Sequence, residues 1–277
     1  MLNKFNNAFN INSLLIIILF ISAFFFNIYY ANLGVFPIDT FLHFDSGYRI
    51  LNNQYPVQDF WVVSGIFVDF LEAFFFSILG ISWKTHIIHS SIFNGAIAIL
   101  SYSIFLKLEL NKFYCFIYSF LISILAYTPS GTPFVDHHAT FFSLFAIYFF
   151  ILAIKFNQNY AWIVFPWFLG FSFLSKQVPA AYFLVLITIL LTTYCFFKKT
   201  IRPILISFFS SIVFFLGFVL FCEIINLDYY LFVKQYVLYP LSIGSERVEG
   251  FSSITLESFI NKFKYILIPS FGIILLN

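Results

Sequence analysis

Apolar residues arrive along this chain in long runs separated by short polar connectors, rather than in the spaced stripes of a water-facing helix. The runs cover about 12–34, 61–83, 87–106, 113–128, 139–154, 161–175, 179–197, 203–225 and 265–276. A helix of roughly 20 apolar residues crosses the ~30 Å hydrocarbon core of a bilayer, so the pattern predicts an all-α, polytopic transmembrane bundle. Pro179 and Pro203 fall at the first turn of their runs, where a missing N–H costs nothing. No internal repeat, low-complexity linker or water-soluble domain interrupts the pattern, and a single domain over 1–277 is expected.

The connectors divide by charge. Segments 107–112, 155–160 and 198–202 hold six Lys/Arg against one acid, whereas 35–60, 129–138 and 226–262 hold eight of the twelve acids. The positive-inside rule places the first set in the cytoplasm and the second outside. With Lys4 at a cytoplasmic N-terminus, only one span fits between loop 35–60 and connector 107–112, yet runs 61–83 and 87–106 both lie there. Run 61–83 contains Asp69 and Glu72, three residues apart and so on one helical face. A charge at the centre of a bilayer costs about 2.5–3.5 kcal/mol on insertion scales. Run 61–83 is therefore expected to be a juxtamembrane helix in an external loop 35–86; the alternative is an ordinary span with both acids buried against other helices. The map gives seven full spans up to residue 225, an external segment 226–262 and a partial eighth span, hence seven to eight in all.

Composition sharpens the class. The chain is 61% hydrophobic and 9% charged, with mean hydropathy +0.95, against roughly 45–50% and about 25% in soluble domains. This excludes a cytosolic enzyme, a secreted disulfide scaffold, a nucleic-acid binder and a disordered chain. The first run has no small-residue cleavage site and more spans follow it, so it reads as a retained helix. Cys115, Cys195 and Cys222 lie in apolar runs without ligand spacing and read as small buried hydrophobes. The 45 Phe and 17 Tyr read as lipid-facing filler from an AT-rich coding bias. His86 and His89 stand one turn apart with no third ligand in view, which reads as packing. All five His and eleven of the twelve acids lie outside or at the outer interface, and the centres of spans two to seven carry no ionisable group. An ion-coupled transporter is expected to carry mid-membrane charge, so the pattern points to chemistry at one membrane surface.

Four external segments, 37–60, 128–138, 175–179 and 228–249, hold nearly all of that chemistry. In chain order they present Asp45-Ser46-Gly47-Tyr48-Arg49 after the first span and Gln54-Tyr55-Pro56-Val57-Gln58-Asp59-Phe60 soon after. A Ser77-Ile78-Leu79-Gly80 turn, Val135-Asp136-His137 at the start of a span, Leu174-Ser175-Lys176, and the Tyr/Phe-rich stretch from Tyr229 to Arg247 follow. In this order and on one side, the motifs resemble the bacterial branch of the GT-C glycosyltransferases, such as lipid A aminoarabinose transferases and protein O-mannosyltransferases, over roughly 12–250. The acid pair is Asp-Ser where the family has Asp-Glu, and Val63-Ser64-Gly65 stands where the family has Lys-Pro-Pro or His-Pro-Pro.

The resemblance implies a GT-C-like enzyme in a bacterial inner membrane with its active site facing outside. It would transfer a sugar from a polyprenyl-phosphate carrier to a hydroxyl acceptor on a lipid, glycan or protein. Such transfer needs a base for the acceptor hydroxyl and positive charge for the leaving phosphate. Asp45, matching the family's catalytic acid, is the expected base; helix capping is its plainer reading. Lys176, Arg247 and Lys234 are expected to bind the phosphate, with snorkelling or solvated charge as the alternative. Asp136, His137 and Asp59 complete the expected substrate-binding set, and Asp39 is a weaker candidate base. A divalent cation is compatible with Asp136, His137 and His138 beside Asp45, but adjacent His side chains point to different helix faces and no metal site is assigned. The last run ends after about a dozen apolar residues, as expected of a half-inserted segment or a chain shorter than the family. The competing expectation is a non-catalytic transport protein or flippase for lipid or polysaccharide.

Overall fold

A computed structural model of the chain describes residues 2–35, 39–62, 64–126, 130–243 and 255–276. The apolar runs become helices, some of which end at left-handed residues such as Asn157 and Lys199. In order these are α1 (Leu2–Ala31), α2 (Leu42–Leu51), α3 (Ile66–Leu79), α4 (Trp83–Lys107), α5 (Lys112–Leu125) and α6 (Val135–Phe156). There follow α7 (Asn159–Ser175), α8 (Gln177–Lys198), α9 (Arg202–Ile224), the short α10 (Tyr229–Phe232) running into a π-helical turn (Val233–Leu238), and α11 (Leu256–Leu276). No strand occurs among the described residues. The chain divides into two compact units, Met1–Tyr229 and Tyr230–Asn277. In the second, Phe232 and Tyr236 are buried and stack at 5.1 Å.

Among the described residues, five helices are long and apolar enough to cross a membrane: Ile11–Ala31, Trp83–Lys107, Val135–Phe156, Gln177–Lys198 and Arg202–Ile224. At 1.5 Å per residue, the 14 residues of α5 and the 17 of α7 reach only about 21 and 26 Å. The outer surface requires lipid. Along α9, Phe208, Phe209, Val213, Phe215, Leu216 and Leu220 are all exposed, and a continuous apolar face of that extent is foreign to water-soluble monomers.

Several boundaries differ from the sequence expectation. Run 61–83 is not one helix. Gly65, at φ +89°, starts α3 and Gly80 ends it, and Ser82 then caps a new helix by accepting from the Thr85 N–H at 3.1 Å. Helix α3 is thus 14 residues, about 21 Å, and its acids are buried, the feature expected of the alternative reading. Helix α4 begins four residues before its apolar run and takes His86 and His89 into its first two turns. Helix α6 likewise begins at Val135, so Asp136, His137 and His138 are helical rather than loop residues. The final run belongs to a 21-residue helix that starts at Leu256, inside the expected external segment.

The interior is held by apolar packing and by small polar side chains. Ile97, Phe142, Phe145, Ala146, Trp162 and Ile187 belong to one cluster joining α4, α6, α7 and α8. Between α1 and α4, buried Asn27 donates to Ser90 Oγ (3.1 Å), Ser91 Oγ (2.9 Å) and the Gly131 carbonyl (3.2 Å), while Asn94 donates to the Ala23 carbonyl. Ser143 and Ser172 pair at 2.8 Å between α6 and α7, and Ser101 and Tyr148 at 2.8 Å between α4 and α6. Lipid offers apolar side chains no reason to leave it, so such close packing and hydrogen bonds are what hold membrane helices together.

Candidate active site: a buried carboxylate–histidine cluster beside two ion pairs

The turn Gly80–Ser82 folds α4 back along α3. Both helices carry a polar pair at a spacing of three: Asp69 and Glu72 on α3, His86 and His89 on α4. The pairs meet face to face. Glu72 Oε1 accepts from His86 Nδ1 at 2.7 Å and its Oε2 from His89 Nδ1 at 2.5 Å. From α2, His43 Nδ1 reaches Asp69 Oδ1 at 2.6 Å. From α6, His138 Nε2 meets His89 Nε2 at 3.1 Å, and its Nδ1 lies 3.2 Å from the Phe134 carbonyl. All six side chains are buried. Two glycines make the approach of α2 feasible: a Cβ on Gly47 would stand 2.8 Å from Glu72 Cγ, and one on Gly65 would stand 2.6 Å from His43 Cε1.

Carboxylates and backbone carbonyls only accept. His86 faces an acceptor at each nitrogen, Glu72 Oε1 and the Thr40 carbonyl at 3.1 Å. His89 Nδ1 faces Glu72 Oε2, His138 Nδ1 faces the Phe134 carbonyl, and the two rings meet through their Nε2 atoms. Burial is the largest influence on both acids. In Glu72 the hydrogen bonds from His86 and His89 outweigh it and hold the carboxyl down at about 2. In Asp69 burial outweighs the His43 hydrogen bond and pushes the carboxyl up.

None of the residues singled out as site residues in the sequence belongs to this cluster. Asp45 sits in the first turn of α2 but does not cap it; its Oδ2 accepts from Arg49 Nε at 2.7 Å, with side chains 59% and 39% exposed. Arg49 also lies over the Phe60 ring at 5.5 Å. Asp59 accepts from the Tyr55 N–H at 2.6 Å, closing its own loop, and Gln58 donates to the Asn226 carbonyl at the end of α9. Asp39 adopts φ 62° in the turn before α2. Asp136 pairs with Lys176 at 2.6 Å across α6 and the end of α7, both part-exposed. His137 is half-buried, with its ring 5.8 Å from Phe134 and 6.2 Å from Phe141. Lys234 is exposed on the π-helical turn of the second unit. Arg247 lies outside the described residues. Among the described residues no group of three or more His, Cys, Asp or Glu is arranged to hold a metal ion.

These contacts bring the start of α4, the start of α6 and the end of α7 to one end of the first unit, together with α2 and α3. Beside them lies an apolar cavity of about 330 Å³ between α3, α7 and α9, walled by Phe67, Phe70, Trp167, Phe171, Phe218 and Phe221. The cluster itself was not assembled from sequence, although its signal was present: an acid pair and a histidine pair, each at helical spacing, on consecutive segments. Comparison with known proteins adds no relative, since no protein-family model, no curated protein and no solved structure matches the chain.

Proposed function

We propose that the chain is an integral-membrane glycosyltransferase that takes a sugar from a polyprenyl-phosphate carrier at one membrane surface. The observation that supports this most is the adjacency of two environments. A polar helix end bearing Asp45, Arg49, Asp136 and Lys176 stands beside an aromatic-lined cavity opening among α3, α7 and α9. A ligand with an isoprenoid tail and a charged head matches that combination. In the proposed reaction the Asp45 carboxylate takes the acceptor's hydroxyl proton and the freed oxygen attacks the anomeric carbon. The bond from that carbon to the phosphate oxygen breaks, and the polyprenyl phosphate leaves with the electron pair. Lys176 offsets the charge that develops on the phosphate. Arg49, absent from the sequence-derived set, sets the position of the Asp45 carboxylate. The seven-span topology belongs to the same proposal, with α5 and α7 as its short members and the polar end outside.

One observation favours a second reading, a transporter. The Glu72–His89–His138 chain is ionisable and buried inside the helices, which is where proton-coupled carriers keep such groups.

The discriminating experiment is release of free polyprenyl phosphate from a panel of polyprenyl-phosphate sugars by protein reconstituted in lipid, wild type against Asp45→Asn. Turnover in the wild type with a loss of about 10²–10⁴-fold in the variant is expected of a general base. Equal turnover in both removes Asp45 from the reaction. Sugar-lipid movement across the bilayer without phosphate release gives the transport reading its place.

A further inference from the structure

The opposite ends of α6 to α9 hold another cavity, this one polar, that takes no part in the chemistry proposed above. It has a volume of about 460 Å³ and lies between the α6–α7 and α8–α9 connectors. Lys155 closes α6, Lys198 closes α8 and Arg202 opens α9; all three line the cavity, together with Asn157, Asn159 and Thr200. Trp162, buried, and Tyr194 pack ring on ring at 5.6 Å and complete its apolar side.

We infer that this cavity binds a phosphate-bearing anion, with the headgroup of an anionic membrane lipid as the source best suited to its place. Three observations converge. First, three cations line it and no acid does. Among the described residues none of the three is in an ion pair, whereas Lys176 and Arg49 at the other end are each paired. Second, the remaining polar lining is made of donors suited to phosphate oxygens, two amides and a hydroxyl. Third, the cavity lies where helices long enough to cross a bilayer emerge from their apolar stretch, so a lipid headgroup would reach it with its chains along α8 and α9, whose flanks are exposed and apolar. Lys155 and Lys198 also offset the carbonyl ends of α6 and α8. That role needs one cation per helix end and leaves Arg202, at the opposite kind of end, unaccounted for. Basic pockets between membrane helices hold phosphate headgroups by this chemistry.

The test uses the full chain in neutral detergent and reads thermal unfolding and native mass spectra. Three additions are compared: phosphatidylglycerol, phosphatidylcholine and inorganic pyrophosphate. Phosphatidylglycerol is expected to be retained and to raise the melting temperature where phosphatidylcholine does not. Removing all three cations in Lys155→Gln/Lys198→Gln/Arg202→Gln is expected to weaken that binding on the order of a hundredfold, about fivefold per cation. Lys107→Gln/Lys112→Gln, which removes two cations outside the cavity, is expected to leave it intact. Pyrophosphate binding with the same variant dependence, without lipid selectivity, assigns the site to a soluble phosphate compound instead. Absence of selectivity for either phosphate probe in the wild type overturns the inference, and that comparison needs no variant to fold. Equal losses in the triple variant and the Lys107/Lys112 control also overturn it, because general surface charge then explains the binding.

Discussion

Glu72 is where the physical stakes of single residues are highest. Its carboxylate is buried with two histidines bonded to it, and removing one partner of such a set strands the others. Glu72→Gln is expected to destabilise by about 3–5 kcal/mol, read as a fall in melting temperature in detergent. Asp69→Asn is expected to cost nearer 1 kcal/mol, because burial already pushes that carboxyl up and the neutral form is less penalised. A larger loss for Asp69→Asn than for Glu72→Gln reverses the assignment of the dominant acid. The pH dependence has a defined sign. Glu72 is held at about 2 in the folded chain against an ordinary 4.5, so its contribution is complete above about pH 4.5 and disappears as pH falls towards 2. Asp69 acts in the opposite sense, since acidification relieves the cost of its buried charge. Unfolding followed between pH 5 and 2 is expected to fall less steeply in Glu72→Gln than in the wild type.

At the scale of elements, the polar end depends on α2 lying against α3. Gly47 permits that contact, since any Cβ there meets Glu72 Cγ at 2.8 Å and the Ala73 backbone nitrogen at 3.2 Å. Gly47→Val is expected to lift α2 and cost about 1–3 kcal/mol, in the range of overpacking. Loss of the His43–Asp69 bond should accompany it, visible as faster hydrogen exchange over 42–51 but not over α6. The Asp136–Lys176 pair has the opposite character. It is part-exposed, and such pairs contribute about 0–1 kcal/mol. Lys176→Gln is therefore expected to leave the melting temperature within a degree or two, so a loss of turnover in that variant reports on chemistry rather than on folding.

Across the whole molecule, two polar regions of different kind stand at opposite ends of the long helices. One carries acids, histidines and ion pairs; the other carries cations lining a cavity without acid partners. The seven-span proposal predicts that Cys introduced at Gln58 and at Lys199 reacts with impermeant thiol reagents from opposite faces of the membrane. The native Cys115, Cys195 and Cys222 are buried and supply little background. Labelling of both positions from one face contradicts an odd number of crossings between them.

Sequence alone determined the class of the protein: an all-helical chain with apolar runs of membrane length and a segregation of basic from acidic connectors. These properties are local or additive, and a run such as 203–225 needs no partner to reveal what solvent it requires. The apolar runs also anticipated every helix up to residue 225 except the short α2, to within a few residues apart from the split of run 61–83 and the start of α1, which lies ten residues before its run. What tertiary structure alone decided is which polar groups meet. Asp69 and Glu72 read as a cost of insertion and His86 and His89 as packing, because each pair was weighed without the other. Only the fold of α4 along α3, with α2 admitted by Gly47 and Gly65, joins those separate costs into one hydrogen-bonded cluster. Likewise, the sequence offers Asp45 as a base or helix cap and Asp136 as a substrate-binding residue, and only the fold pairs them with Arg49 and Lys176. The energy of a buried polar group depends on its partner more than on its own identity, and partners distant in sequence are set by packing, not by local pattern.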